Sequence, residues 1–133
     1  MDSTPLYPGV LEMLLSLQNR QMAIVTNKPT NMTHKILQGL NIDDFFGAVR
    51  GGDDVARKKP DPTMIHEVMD ELKMDPQEAI MIGDSPVDVR AARKAGIRVC
   101  GVTYGGIGAV DALVKSAPDF LVDSPDQLSQ LLI

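Results

Sequence analysis

Short apolar runs alternate along the chain with segments of helical spacing, and this alternation limits the fold more than any other feature of the 133 residues. The clearest unit begins at "AIMIG" (79–83), a run apolar enough to be a strand covered on both faces. It passes through "GDSPVD" (83–88) into a helix that reaches about Ala95, with Gly96 as its stop. Further strands are predicted at "QMAIVT" (21–26), "IRVCGVT" (97–103) and "DFLV" (119–122), with a weaker one at "GAVRG" (47–51). Helices are predicted behind Pro8-Gly9 (10–17, with Leu11, Leu14 and Leu15 at helical spacing) and over 30–39, closed by Gly39. Asp61 and Pro62 open another, whose apolar face is Met64, Ile65, Val68, Met69 and Leu72. Asp75-Pro76-Gln77-Glu78 reads as a cap, 109–117 as a helix, and Ser124-Pro125-Asp126-Gln127 as the cap of the last one. The expectation is one α/β domain over 1–133, a three-layer Rossmann-like parallel sheet with helices on both faces.

Charge and composition narrow the partners. The net charge is −5, the largest basic cluster is Arg57-Lys58-Lys59, and a phosphate backbone needs a more concentrated positive surface, so nucleic acid is excluded. No window approaches the roughly 20 apolar residues that cross a bilayer, so no membrane partner is expected. "MDSTPLYPGV" has neither the basic start nor the apolar stretch of a signal peptide. Cys100 is the single cysteine, so no internal disulfide forms, and its apolar run makes it a buried thiol. A cytoplasmic location follows as the expectation. The eight methionines read as core filling.

In parallel sheets ligands sit beyond the carboxyl ends of the strands. Three polar clusters fall at or beyond such ends: Thr26-Asn27-Lys28, Lys58-Lys59-Pro60-Asp61-Pro62, and Asp84 with Asp88. Two carboxylates at a sheet mouth repel unless a cation lies between them or one is protonated. Mg²⁺ suits carboxylate oxygens and completes its shell with water and a substrate phosphate. Lys59 offers that phosphate a point charge, and the Thr26 hydroxyl offers a directional donor. Taken singly, each piece has a plainer reading. Ser85-x-x-Asp88 serves equally as a helix cap, Thr26-Asn27 as turn chemistry, and Lys59 as an ordinary residue before proline. His34 and His66 read as solvated helix positions, and Tyr104 as a loop residue or as part of the pocket mouth.

"VTNKP" (25–29), "KKPDP" (58–62) and "MIGDSPVDVRAARKAG" (81–96) together resemble the second, third and fourth motifs of the haloacid dehalogenase superfamily. The resemblance is to its phosphoglycolate-phosphatase-like branch, and "YPGV" (7–10), "GGDD" (51–54) and "GVTYGG" (101–106) support it. It implies hydrolysis of a small phosphorylated metabolite through an aspartyl-phosphate. Thr26 and the Asn27 backbone would bind the phosphoryl group, and Lys59 would neutralise phosphate and nucleophile. Asp84 would ligate Mg²⁺ directly, with Asp88 supporting the metal or its waters.

One departure stands out. The family's first motif, Asp-x-Asp-x-Thr at the end of its first strand, supplies the nucleophile, and this chain contains no Asp-x-Asp. Asp2, Asp53 and Asp54 are poor substitutes, and no cap domain is visible. The family's first strand lies mid-sheet, between the strands read here at 21–26 and 79–83. Either those two strands close up and pair directly, or a missing strand comes from elsewhere: a homodimer partner or a complementing N-terminal segment.

Overall fold

A computed structural model of the chain describes residues 9–53, 55, 57–104 and 110–132. The expectations for Asp2, Tyr7, Pro8, Asp54, Gly105, Gly106 and position 109 lie outside these residues. Helices and strands alternate as the sequence predicts: α1 (Val10–Ser16), β1 (Ala23–Val25), α2 (Thr30–Gly39), β2 (Ala48–Arg50), α3 (Thr63–Leu72), β3 (Ile80–Gly83), α4 (Pro86–Ala95), β4 (Arg98–Val102), α5 (Val110–Lys115), β5 (Phe120–Val122) and α6 (Pro125–Leu132). Short 3-10 turns occupy Asp43–Phe45 and Pro76–Glu78.

Local chemistry sets the ends of these elements. Asp61 accepts the Thr63 backbone N–H at 3.0 Å and also the Thr63 hydroxyl, which starts α3 behind Pro62. Asp75 accepts the Gln77 N–H at 2.9 Å and makes a 3-10 turn rather than a full helix. Gly96, at φ 77°, stops α4 as expected. Gly39 ends α2 without taking that conformation; the left-handed residue is Asn41, two positions on, at φ 60°. The start of α2 depends on a residue far away in sequence. Asp53 accepts both the Thr30 N–H (2.8 Å) and the Thr30 hydroxyl (2.6 Å), which hold its carboxyl below the usual range.

All strand pairing is parallel, but the strands form two sheets, β1–β2 and β3–β4–β5. The closing-up alternative is therefore overturned: β1 and β3 belong to different sheets and flank an apolar cavity of ≈ 840 Å³. The physical reason is visible in the cavity's flanks. Met13 and Leu14 of α1, Leu128 of α6, and Ile65 and Met69 of α3 line it together with both strands. Direct pairing would bring β1 and β3 to about 4.8 Å and leave those side chains without room.

The layers follow from strand alternation. Val25 and Met81 pack with Ile65, Met69, Val89 and Leu113 on one face. Ile24, Ile80 and Ile82 pack on the opposite face, in clusters that include Leu14, Leu37 and Leu128. Cys100, in the middle of β4, is fully buried, and burial pushes its thiol up to about 11. The native protein is accordingly expected to leave an aromatic disulfide reagent unreacted at pH 8 and to release one thiol equivalent only in denaturant, read by absorbance.

Candidate active site

The carboxyl ends of β1 and β3 are joined by one side chain. Lys59 donates from Nζ to Asp88 Oδ1 at 2.6 Å and to the Val25 carbonyl at 3.2 Å. Both members of the ion pair are nearly out of solvent, with side-chain exposures of 12% for Lys59 and 8% for Asp88. A buried pair of this kind is sustained only by close geometry and further hydrogen bonds. Asp88 has both: its Oδ2 accepts the Asp84 N–H and the Ser85 hydroxyl, each at 3.2 Å.

These contacts bear on the cap reading of Ser85-x-x-Asp88. Ser85 makes no side-chain cap bond; its hydroxyl donates to Asp88, whose carboxylate faces Lys59 and the strand end. Asp88 sits in the first turn of α4, where the helix dipole also favours its charge. Gly83 makes this possible. A Cβ at Gly83 would lie 2.3 Å from Asp88 Cβ and 2.5 Å from Oδ2, so the carboxylate lies directly on that residue.

Lys59 is held from the other side by Asn27. The Asn27 Nδ2 donates to the Lys59 carbonyl (3.2 Å) while its Oδ1 accepts the Lys59 N–H (3.0 Å). The amide thus pairs with the Lys59 peptide as a neighbouring strand would, next to the cis Lys59–Pro60 bond. Thr26 donates its N–H to the Arg50 carbonyl, and its Oγ1 accepts the Lys28 N–H at 3.2 Å. The Thr26 hydroxyl proton has no partner among the described residues.

All five residues singled out from the sequence, Thr26, Asn27, Lys59, Asp84 and Asp88, therefore cluster around one strand-end mouth. Asp84 differs from Asp88 in being exposed, and its carboxylate accepts no hydrogen bond among the described residues. A hard divalent cation held by one carboxylate, water and an anionic ligand fits that donor set. Among the described residues there is no group of three His, Cys, Asp or Glu able to hold a metal by itself. His34 and His66 are exposed on their helices, as expected. Tyr104 lines the cavity behind the mouth. Sequence reasoning missed the parts played by Ser85, Gly83 and the Val25 carbonyl; the glycine before Asp84 was the one visible signal.

Parallel β/α units with a lysine and two aspartates gathered beyond the strand ends define an α/β protein of the Rossmann-like class. The chain belongs to the haloacid dehalogenase-like hydrolases, whose family model matches residues 1–102. It is 38% identical over 130 residues to the phosphoglycolate phosphatase of Vibrio vulnificus (strain CMCP6), covering 96% of this chain and 57% of that one. It is 42% identical over 109 residues to the phosphoglycolate phosphatase of Pectobacterium atrosepticum, covering 82% and 46%. Among solved structures, a predicted phosphoglycolate phosphatase from Haemophilus somnus superposes with a TM-score of 0.85 at 32% identity, over 96% of this chain and 57% of that one. The chain thus spans about half the length of these curated relatives.

Proposed function

We propose that the mouth beyond β1 and β3 receives the phosphoryl group of a small phosphate monoester of the phosphoglycolate type, together with Mg²⁺. The observation that carries this reading is the buried Lys59–Asp88 pair beside an exposed Asp84 carboxylate that accepts no hydrogen bond among the described residues. Asp84 would hold the metal, and Asp88, engaged by Lys59, would support its waters. Bound there, Mg²⁺ would supply Lewis-acid polarisation of a phosphoryl oxygen. Lys59 neutralises charge on the phosphate, the Thr26 hydroxyl donates to a phosphoryl oxygen, and Asn27 keeps the Lys59 backbone in place. The aspartyl-phosphate route needs an attacking carboxylate as well, and the sequence has no Asp-x-Asp motif to provide one. The chain on this reading is the part of a hydrolase that holds metal and phosphate, and another segment supplies the nucleophile.

Calorimetry with inorganic phosphate and Mg²⁺, alongside phosphate release from p-nitrophenyl phosphate and phosphoglycolate, tests both halves. Phosphate is expected to bind only with Mg²⁺ present, and Asp84→Asn to weaken metal binding by at least the roughly 10- to 100-fold that loss of an outer-shell partner costs. Release is expected to stay at background. Unchanged binding in the Asp84→Asn protein would overturn the site assignment. Mg²⁺-dependent turnover by the chain alone, abolished in that variant, would overturn the need for an outside nucleophile.

A further inference from the structure

The turn at 26–30 carries the Thr26 hydroxyl and the Asn27 amide into the mouth, yet Asn27, Lys28 and Pro29 are exposed. Backbone so open to water keeps one shape only where hydrogen bonds fix it. On the site side, the Asn27 amide grips the Lys59 peptide at 3.2 and 3.0 Å. On the opposite side, the chain leaving β2 grips the turn at three points. The Arg50 carbonyl accepts the Thr26 N–H at 3.0 Å, and the Gly52 N–H donates to the Lys28 carbonyl at 2.7 Å. Asp53 Oδ1 accepts the Thr30 N–H at 2.8 Å and the Thr30 hydroxyl at 2.6 Å.

The two stretches lie too close for side chains to separate them. A Cβ at Gly51 would come within 2.5 Å of Thr30 Oγ1 and 2.6 Å of its N, and one at Gly52 would sit on the Asn27 carbonyl. Asn27 therefore moves with residues 50–53. Of the three grips, the one at Asp53 is made by a side chain. It takes the first N–H of α2, a helix whose cap position, Pro29, makes no side-chain cap bond. The charge on Asp53 works the other way, because a carboxylate beside the mouth repels an arriving anion. Holding the turn and acting on phosphate through charge thus predict opposite effects of removing it.

We propose that Asp53 is a positioning residue for anion binding: by holding Thr30 it sets the turn at 26–30, and with it the Asn27 amide that fixes the Lys59 backbone. Asp53 itself touches neither phosphate nor metal. Its effect on anion binding rests on the phosphoryl reading of the mouth, whereas its hold on Lys59 rests on the hydrogen bonds alone.

Three variants test this: Asp53→Ala, Asp53→Asn and Leu37→Val. Asparagine keeps an acceptor oxygen for both Thr30 bonds and drops the charge. Leu37 is buried in the core face of α2, so its shortening weakens the helix without touching the turn. Exchange of the Lys59 amide, which donates to Asn27 Oδ1, is followed by NMR without ligand, and affinity for inorganic phosphate with Mg²⁺ by calorimetry. Asp53→Ala is expected to speed that exchange and to weaken phosphate binding, each by about fivefold, the factor that the loss of one helix cap implies. Asp53→Asn is expected to keep the wild-type exchange rate and to bind phosphate at least as tightly as the wild type. Leu37→Val should lower the urea midpoint and leave both readouts at wild-type values. A wild-type Lys59 exchange rate in Asp53→Ala overturns the proposal. So does equal damage from alanine and asparagine, which would assign the effect to charge, or the same damage from Leu37→Val, which would assign it to stability. Failure of the wild-type protein to bind phosphate sinks the phosphoryl reading instead, and the Lys59 exchange rate, which needs no ligand, still decides whether Asp53 holds the turn.

Discussion

Replacing Lys59 with methionine lowers the unfolding free energy by about 3–5 kcal/mol, the range for removing one partner of a buried ion pair. The methionine keeps most of the side-chain volume, so the cost comes from charge. Asp88 retains the Asp84 N–H and the Ser85 hydroxyl, but it loses its 2.6 Å cation while 8% exposed. The Val25 carbonyl loses a donor as well. Urea denaturation reads the loss as a lower midpoint at constant slope. The double variant Lys59→Met/Asp88→Leu is expected to recover much of the stability, because an apolar pair in place of a buried ion pair costs little. Neither protein should bind phosphate. If Lys59→Met unfolds at the wild-type midpoint, the pair is not holding the two sheets at this end.

A single methyl group at Gly83 is expected to act nearly as strongly. Its carbon would lie 2.3 Å from Asp88 Cβ, and Asp88 belongs to the first turn of α4, which is itself packed on β3 and β4. Relief requires the helix to lift or the carboxylate to turn off the strand end, and either movement breaks the contact with Lys59. The expected cost for Gly83→Ala is about 3 kcal/mol, at the upper end of the overpacking range, together with loss of anion binding. Gly96→Ala makes the comparison. Nothing lies within 4 Å of its Cβ, and only its φ of 77° opposes the change. It should cost about 1 kcal/mol and leave the site intact. Equal effects at the two glycines, in denaturation and phosphate calorimetry, would contradict the close-contact account.

The fold class could be read from the chain because parallel strands covered on both faces write themselves as uninterrupted apolar runs, as in "AIMIG" and "IRVCGVT". The convergence of Thr26, Asn27, Lys59, Asp84 and Asp88 was legible for a related reason: polar residues just past such runs share one end of a parallel sheet. Neighbourhood was not legible. Periodicity identifies a strand without naming its partner, so β1 and β3 offered no sign of belonging to different sheets. Long-range capping was equally hidden: Asp53 serves a helix that begins 23 residues before it. The Ser85 pattern suggested a local cap, and a lysine 29 residues before Asp88 claimed the carboxylate instead.

An ammonium group carries three protons, and in this fold two of them are assigned, one to Asp88 and one to the Val25 carbonyl. The third has no acceptor among the described residues. An oxyanion arriving beside Lys59 can accept that remaining proton without prising the ammonium from its existing acceptors. Occupancy should then tighten the clamp between the half-sheets, and the melting temperature should climb steadily as inorganic phosphate and magnesium are added.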